Sequence, residues 1–376
     1  MMQMATTIMV FYATDRSRRE ARYTTKPDYM LHYGLCEVSI PPSHQPGKVE
    51  SSNNREQANP LQHFILVGDE PISDPIFFWH KLRNEVCAQL ITPSQNSHSA
   101  MMLRLPPNAR EVLLYIHGFN VTFERALKTA AQLKHDLEFR GLVILYSWPT
   151  RERMFAYHRD RKVILGSAGR LRELIETILM EKVASTKVHI LAHSMGNRAL
   201  IEALTQPGWN PLRNEESSRR RGVLTNVILA AADEVLDKFQ EMLPEMDRQN
   251  SVHRPVISVY SSACDRALFA SARLNWCCLR LGYTKSLFRD HSMRAIPDSM
   301  VDVIDASGVP YDNSLQHSYY AEVPAVLYDI KNLLANDRRE QNRLPQLIHR
   351  YPPHPDWNFY AFVPEWWYAN RSANII

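Results

Sequence analysis

The chain has 376 residues, 45% of them hydrophobic, and its 44 basic and 40 acidic side chains leave a net charge of +4. That supplies apolar matter for one large domain, or for a domain with an appendage. The near-neutral balance excludes nucleic acid and a charged membrane surface as expected partners.

No apolar run reaches transmembrane length. The N-terminus lacks a basic residue before Arg16, and its apolar stretch 8–12 is too short for a signal peptide. The five cysteines, Cys36, Cys87, Cys264, Cys277 and Cys278, show no Cys-x-x-Cys pair. An odd count with one adjacent pair reads as reduced thiols, so a cytoplasmic protein without a metal or other cofactor is expected.

In chain order, residues 8–13 read as a strand stopped by a charged turn at Thr14-Asp15-Arg16. A second strand is predicted over 35–40, before Pro41-Pro42, then a Pro/Ser/Asn-rich loop to residue 60. A strand over 63–67 and a helix over 77–90 follow, so residues 1–105 extend a larger sheet or form a small subdomain.

From Glu111 the pattern becomes regular across the predicted core, 106–336. Apolar strands at 112–116, 142–146, 187–193, 226–232, 256–262 and 300–304 alternate with helices. The helix after the second of these is predicted over 166–183, leaving 150–165 as a charged, aromatic surface loop or lid. This alternation predicts an α/β fold with a mostly parallel sheet covered by helices on both faces. Residues 337–376 form an aromatic, Pro-rich tail that includes Tyr351, Trp357, Trp366 and Trp367.

Ligands of such sheets sit beyond the strand carboxyl ends. His117, Ser194, Asp233, Asp265 and His317 all follow predicted strand ends. Ser194 lies in Ala192-His193-Ser194-Met195-Gly196, a small-x-Ser-x-small pattern between a strand and a helix. That is the grammar of a nucleophile elbow, where small neighbours permit a strained turn.

A serine hydroxyl needs a base, and the base needs a carboxylate. Ser194, Asp265 and His317 occur in the hydrolase order along the chain, each after a successive strand end. Asp233, after the first strand beyond the elbow, is the alternative acid, and either aspartate also reads as a helix cap. Of the 15 histidines, His193 adjoins the serine and is expected to point elsewhere, whereas His117 is expected to support a loop. The oxyanion donors are predicted to be the Met195 and Phe119 amides, with Asn120 as a further contributor and Gly118 allowing close approach.

These segments resemble an uncharacterised bacterial family of esterase- and lipase-like α/β-hydrolases. The resemblance rests on Phe-Tyr-Ala-Thr-Asp-Arg (11–16), Ile-His-Gly-Phe-Asn (116–120), Tyr-Ser-Trp-Pro (146–149), Leu-Ala-His-Ser-Met-Gly-Asn-Arg (191–198), Cys-Asp-Arg-Ala-Leu (264–268) and His-Ser-Tyr-Tyr (317–320). It implies an α/β-hydrolase fold and the Ser194, Asp265, His317 triad, with no substrate established for the family. The expected activity is cleavage of a small-molecule or lipid-like carboxylic ester. The alternatives are another acyl transfer, as in an amidase or acyltransferase, and an inactive scaffold that keeps the fold. The sequence carries no phosphate loop, no Gly-x-Gly-x-x-Gly and no His-Glu-x-x-His.

Overall fold

A computed structural model describes residues 5–52, 57–88, 111–180, 186–206, 222–249, 255–275, 278, 280–284, 301–336, 347–349 and 358–362. Most of the predicted aromatic tail, 337–376, lies outside these residues.

The six core strands are β4 (Glu111–Ile116), β5 (Leu142–Ser147), β6 (Lys187–His193), β7 (Val223–Ala230), β8 (Val256–Ser261) and β9 (Val301–Asp305). They are almost wholly buried, as strands rich in Val, Ile and Leu are when both faces of a parallel sheet are covered. The covering helices include α2 (Phe123–Asp136), α3 (Tyr157–Met180), α4 (Gly196–Thr205), α5 (Leu236–Gln249), α6 (Arg266–Leu274) and α7 (Pro324–Asn336). Two apolar cores result, one on each side of the sheet.

The N-terminal strands β1 (Thr6–Arg19), β2 (Arg22–Ile40) and β3 (Ile65–Ile72), with the helix α1 (Pro75–Ala88), join this sheet rather than standing apart. β1 runs parallel to β5, and β2 and β3 continue antiparallel beside it. At the other edge β11 (Asn358–Phe362) lies parallel to β9, with β10 (Leu347–His349) antiparallel beyond it. The eleven strands run in the order β10-β11-β9-β8-β7-β6-β4-β5-β1-β2-β3.

Two predicted boundaries are corrected. The polar trio Thr14-Asp15-Arg16 does not end β1; the strand continues to Arg19 through register shifts flanking Arg16. Such irregularities re-aim side chains, and Asp15 and Arg16 turn inward to buried partners. Asp15 Oδ2 accepts from Ser167 Oγ at 2.5 Å and pairs with Arg170 Nη2 at 2.9 Å. The helix predicted from 166 starts at Tyr157, so most of 150–165 is not loop. Several of its charges face outward, but the Asp160 carboxylate is buried and accepts the Arg151 amide at 2.9 Å in the first turn.

Candidate active site

β6 delivers Ser194 to a turn that only a few residues can make. Ser194 has φ of 53°, in the left-handed region that costs energy for a residue with a Cβ. The turn is clamped by Asn197, whose side-chain amide donates to the carbonyls of Ser194, Ala192 and Ala230 at 3.0 to 3.2 Å. Gly196 is required by closeness: a Cβ there would lie 2.6 Å from the His117 carbonyl oxygen.

Ser194 Oγ lies 2.7 Å from His317 Nε2, and His317 Nδ1 lies 2.7 Å from Asp265 Oδ2. Asp265 is fully buried, Ser194 nearly so, and His317 keeps an exposed edge. Burial alone lowers the His317 pKa. The charge and hydrogen bond of Asp265, helped by the charge of Asp233, outweigh it and hold the imidazole above its ordinary value.

Asp233, the alternative acid, is committed elsewhere. Its carboxylate accepts from Tyr157 Oη at 2.8 Å and Ser271 Oγ at 2.5 Å, and faces Arg198 Nη2 at 3.3 Å and Arg280 Nε at 3.4 Å. Its backbone amide donates to the Ser194 carbonyl at 3.1 Å. Asp233 therefore supports the elbow from below and influences His317 through its field.

The loop after β4 is pressed against the serine. A Cβ on Gly118 would lie 2.8 Å from His193 Nδ1 and 2.9 Å from Ser194 Cβ, so only glycine fits without displacement. Neither the Met195 nor the Phe119 amide donates to a protein acceptor among the described residues. The Asn120 amide does: it donates to Thr150 Oγ1 at 3.1 Å.

His117 and His193 have separate positions. His117 is stacked on Trp148, with ring centroids 5.5 Å apart, and its pKa is pushed down to about 3 by burial and by the Arg16 charge. Arg16 Nε donates to Ser147 Oγ at 3.0 Å, so the serine hydroxyl gives its own proton to His117 Nε2 at 3.1 Å. His117 Nδ1–H then donates to the Gly118 carbonyl at 2.9 Å. His193 does not face Ser194 Oγ; it stacks on Tyr320 at 4.4 Å and packs against the His317 ring at 4.8 Å. Burial, then the His317 charge, holds it well below its ordinary pKa.

Residues 94–338 match the model of the family described as "Alpha/beta hydrolase of unknown function (DUF900)". The chain belongs to this family. It is also similar to "Uncharacterized protein alr1448" of Nostoc sp. (strain PCC 7120), 25% identical over 140 residues, which cover 30% of this chain and 36% of that protein. The chain thus matches about a third of the length of this curated relative. No helix among the described residues is long and apolar enough to cross a membrane.

In this DUF900 chain, the sequence pattern singles out Ser194, Asp265 and His317, which the fold brings into contact, but not the groups that hold them. Asn197 and Arg198 stand in the elbow motif itself, and a polar side chain on the first turn of a buried helix is the signal that each has a fixed partner. Tyr157 lay in the segment read as a lid, yet its hydroxyl reaches Asp233, Ser271 and Asn275. Nothing in its local sequence marks it; its neighbour Phe155 is wholly exposed. Cys36, Cys264 and Cys278 are free thiols.

Proposed function

We propose that this α/β-hydrolase is a serine hydrolase that cleaves carboxylic esters through an acyl-enzyme on Ser194. The observation that carries the reading is the unbroken relay Ser194 Oγ, His317 Nε2, His317 Nδ1, Asp265 Oδ2, with both links at 2.7 Å. As Ser194 Oγ forms its bond to the acyl carbon, its proton passes to His317 Nε2. Asp265 holds the ring in the tautomer with the proton on Nδ1 and stabilises the imidazolium that forms.

The amides of Met195 and Phe119 are the donors assigned to the negative oxygen of the tetrahedral species. Collapse breaks the ester C–O bond, and the leaving alkoxide takes the proton held on Nε2. Water then gives a proton to Nε2 as its oxygen attacks the acyl carbon, and collapse breaks the bond from that carbon to Ser194 Oγ, which takes the proton from Nε2 as the acid leaves. The raised pKa of His317 suits both halves, since it must hold a proton and then return it.

Labelling with a fluorophosphonate probe tests this directly. Wild-type protein labels at one site and Ser194→Ala does not; hydrolysis of p-nitrophenyl acyl esters follows the same pattern. Folded wild-type protein that neither labels nor turns over any ester would overturn the reading.

A further inference from the structure

A second group of titratable side chains lies away from Ser194, where the segment after β2 crosses the C-terminal end of α2. We propose that His44, His135 and Asp136 form a binding site for one divalent cation of the zinc class, which ties that segment to the hydrolase core. His44 Nε2 lies 2.8 Å and His135 Nδ1 lies 3.2 Å from the same oxygen, Asp136 Oδ1. All three donor atoms lie within 4.8 Å of one another. Donors about 2.0 to 2.2 Å from a tetrahedral zinc ion stand roughly 3.3 to 3.6 Å apart, so a bound ion would part the two Asp136 contacts slightly and bring the imidazoles closer, and the half-exposed His135 ring has room to make that adjustment.

The surroundings have the form of a built coordination shell. Ligating histidines usually donate their other ring nitrogen to a carboxylate, which fixes tautomer and orientation. His44 Nδ1 does this to Glu50 Oε2 at 2.9 Å, leaving Nε2 for the cation. Glu50 is itself held, its Oε1 accepting the Gln45 amide at 2.9 Å. On Asp136, Oδ2 accepts the Gly47 amide at 2.9 Å and the Gln132 side chain at 2.8 Å, so Oδ1 is the oxygen left to bind.

Charge and place favour a cation as well. Two imidazole nitrogens converge on one carboxylate oxygen, the donor set that a divalent cation of the zinc class takes. His135 and Asp136 close the last turn of α2, where the helix dipole favours positive charge. Two imidazoles and a carboxylate suit zinc, cobalt or nickel, and suit magnesium or calcium poorly. Because α2 starts at the catalytic edge and has 14 residues, the site sits about 20 Å from that edge. Its role is structural, with water completing the coordination.

The test uses the full chain, freed of any affinity tag and stripped with a chelator. Zinc is titrated against a chromophoric chelator, and cobalt is used for its visible spectrum. The expected result is one zinc per chain, unaffected by excess magnesium, with a rise in Tm that grows with free zinc. His135→Ala keeps the His44 pairings and so remains folded, but binds zinc at least a hundredfold more weakly and loses the tetrahedral cobalt absorption. Fluorophosphonate labelling of Ser194 is unchanged by stripping or by His135→Ala, which separates this site from the catalytic reading. No stoichiometric zinc, or equal binding by wild type and His135→Ala, would overturn the proposal.

Discussion

Asp265 reaches His317 Nδ1 with one carboxylate oxygen while its other oxygen caps α6, accepting the Leu268 amide at 2.8 Å. One side chain thus fixes the start of a helix and the orientation of the imidazole, and the cap locks the rotamer that the imidazole needs. Asparagine caps helices as well as aspartate does, so Asp265→Asn separates the two tasks. It is expected to lower kcat by about 10³ to 10⁴-fold with little loss of stability. Asp265→Ala should add a capping cost of about 1 kcal/mol, read as a lower midpoint in urea.

Asp233→Asn is expected to behave in the opposite way. It leaves Arg198 and Arg280 facing a neutral amide in a buried cluster, and removing one partner of such a cluster costs about 3 to 5 kcal/mol. The elbow is still held by Asn197, so activity per folded molecule falls far less than in Asp265→Asn. Urea titration beside active-site titration of both variants checks this. Greater loss of labelling in folded Asp233→Asn than in Asp265→Asn would move the acid to Asp233.

The pH dependence follows from His317. Its pKa is raised in the folded protein, and the base must be neutral to accept the Ser194 proton. The labelling rate should therefore rise with pH through a midpoint above the ordinary histidine value of about 6.5. Stability runs the other way: the contribution of the His317 and Asp265 pair is complete below that ordinary value and is lost as pH rises through the folded one. In Asp265→Asn burial is left as the largest influence, so the rate midpoint should move down. A midpoint unmoved by that substitution would assign the titration to another group.

The core and the three central residues were legible in the sequence for separate physical reasons. Parallel strands covered on both faces are predominantly apolar, so β4 to β9 stand out. Small residues on both sides of a serine at a strand end meet the steric demand of a sharp turn, and Asp265 and His317 then follow by chain order. The choice between Asp233 and Asp265 was not legible, because both follow strands and both read as caps. Nor was the inward turn of Asp15 and Arg16, since a polar trio inside a strand looks like a turn until Arg170 and Ser147 are brought to it. The pairing of His44 with Asp136, 92 positions apart, leaves no local pattern at all.

His117 makes the protein sensitive to acid independently of catalysis. Its folded pKa is about 3, so between there and about 6.5 the unfolded chain takes up a proton that the folded chain refuses. Stability should fall as pH drops through this window, by up to about 1.4 kcal/mol per unit from this group alone. His117→Gln removes the titrating group, and its midpoint in urea should change less between pH 6.5 and 4.5 than that of wild type. Parallel slopes for the two proteins would mean that other groups carry the acid sensitivity.

Arg16 is the group on which the loop after β4 is braced. Its guanidinium is fully buried and contacts Ser147 Oγ at 3.0 Å, the Val121 carbonyl at 2.8 Å and Glu152 Oε1 at 3.2 Å. The first contact sets the tautomer of His117 and through it holds the Gly118 carbonyl; the second holds the far side of the same loop. Lysine keeps the charge but replaces a planar fork with a point, so Arg16→Lys cannot make all three contacts. With Phe119 on that loop as an oxyanion donor, the expected outcome is a tenfold to hundredfold lower kcat, with KM nearly unchanged and the pH midpoint unmoved. Steady-state kinetics on a single p-nitrophenyl ester checks this, and an unchanged kcat in a folded variant would show that the loop holds its position without the brace.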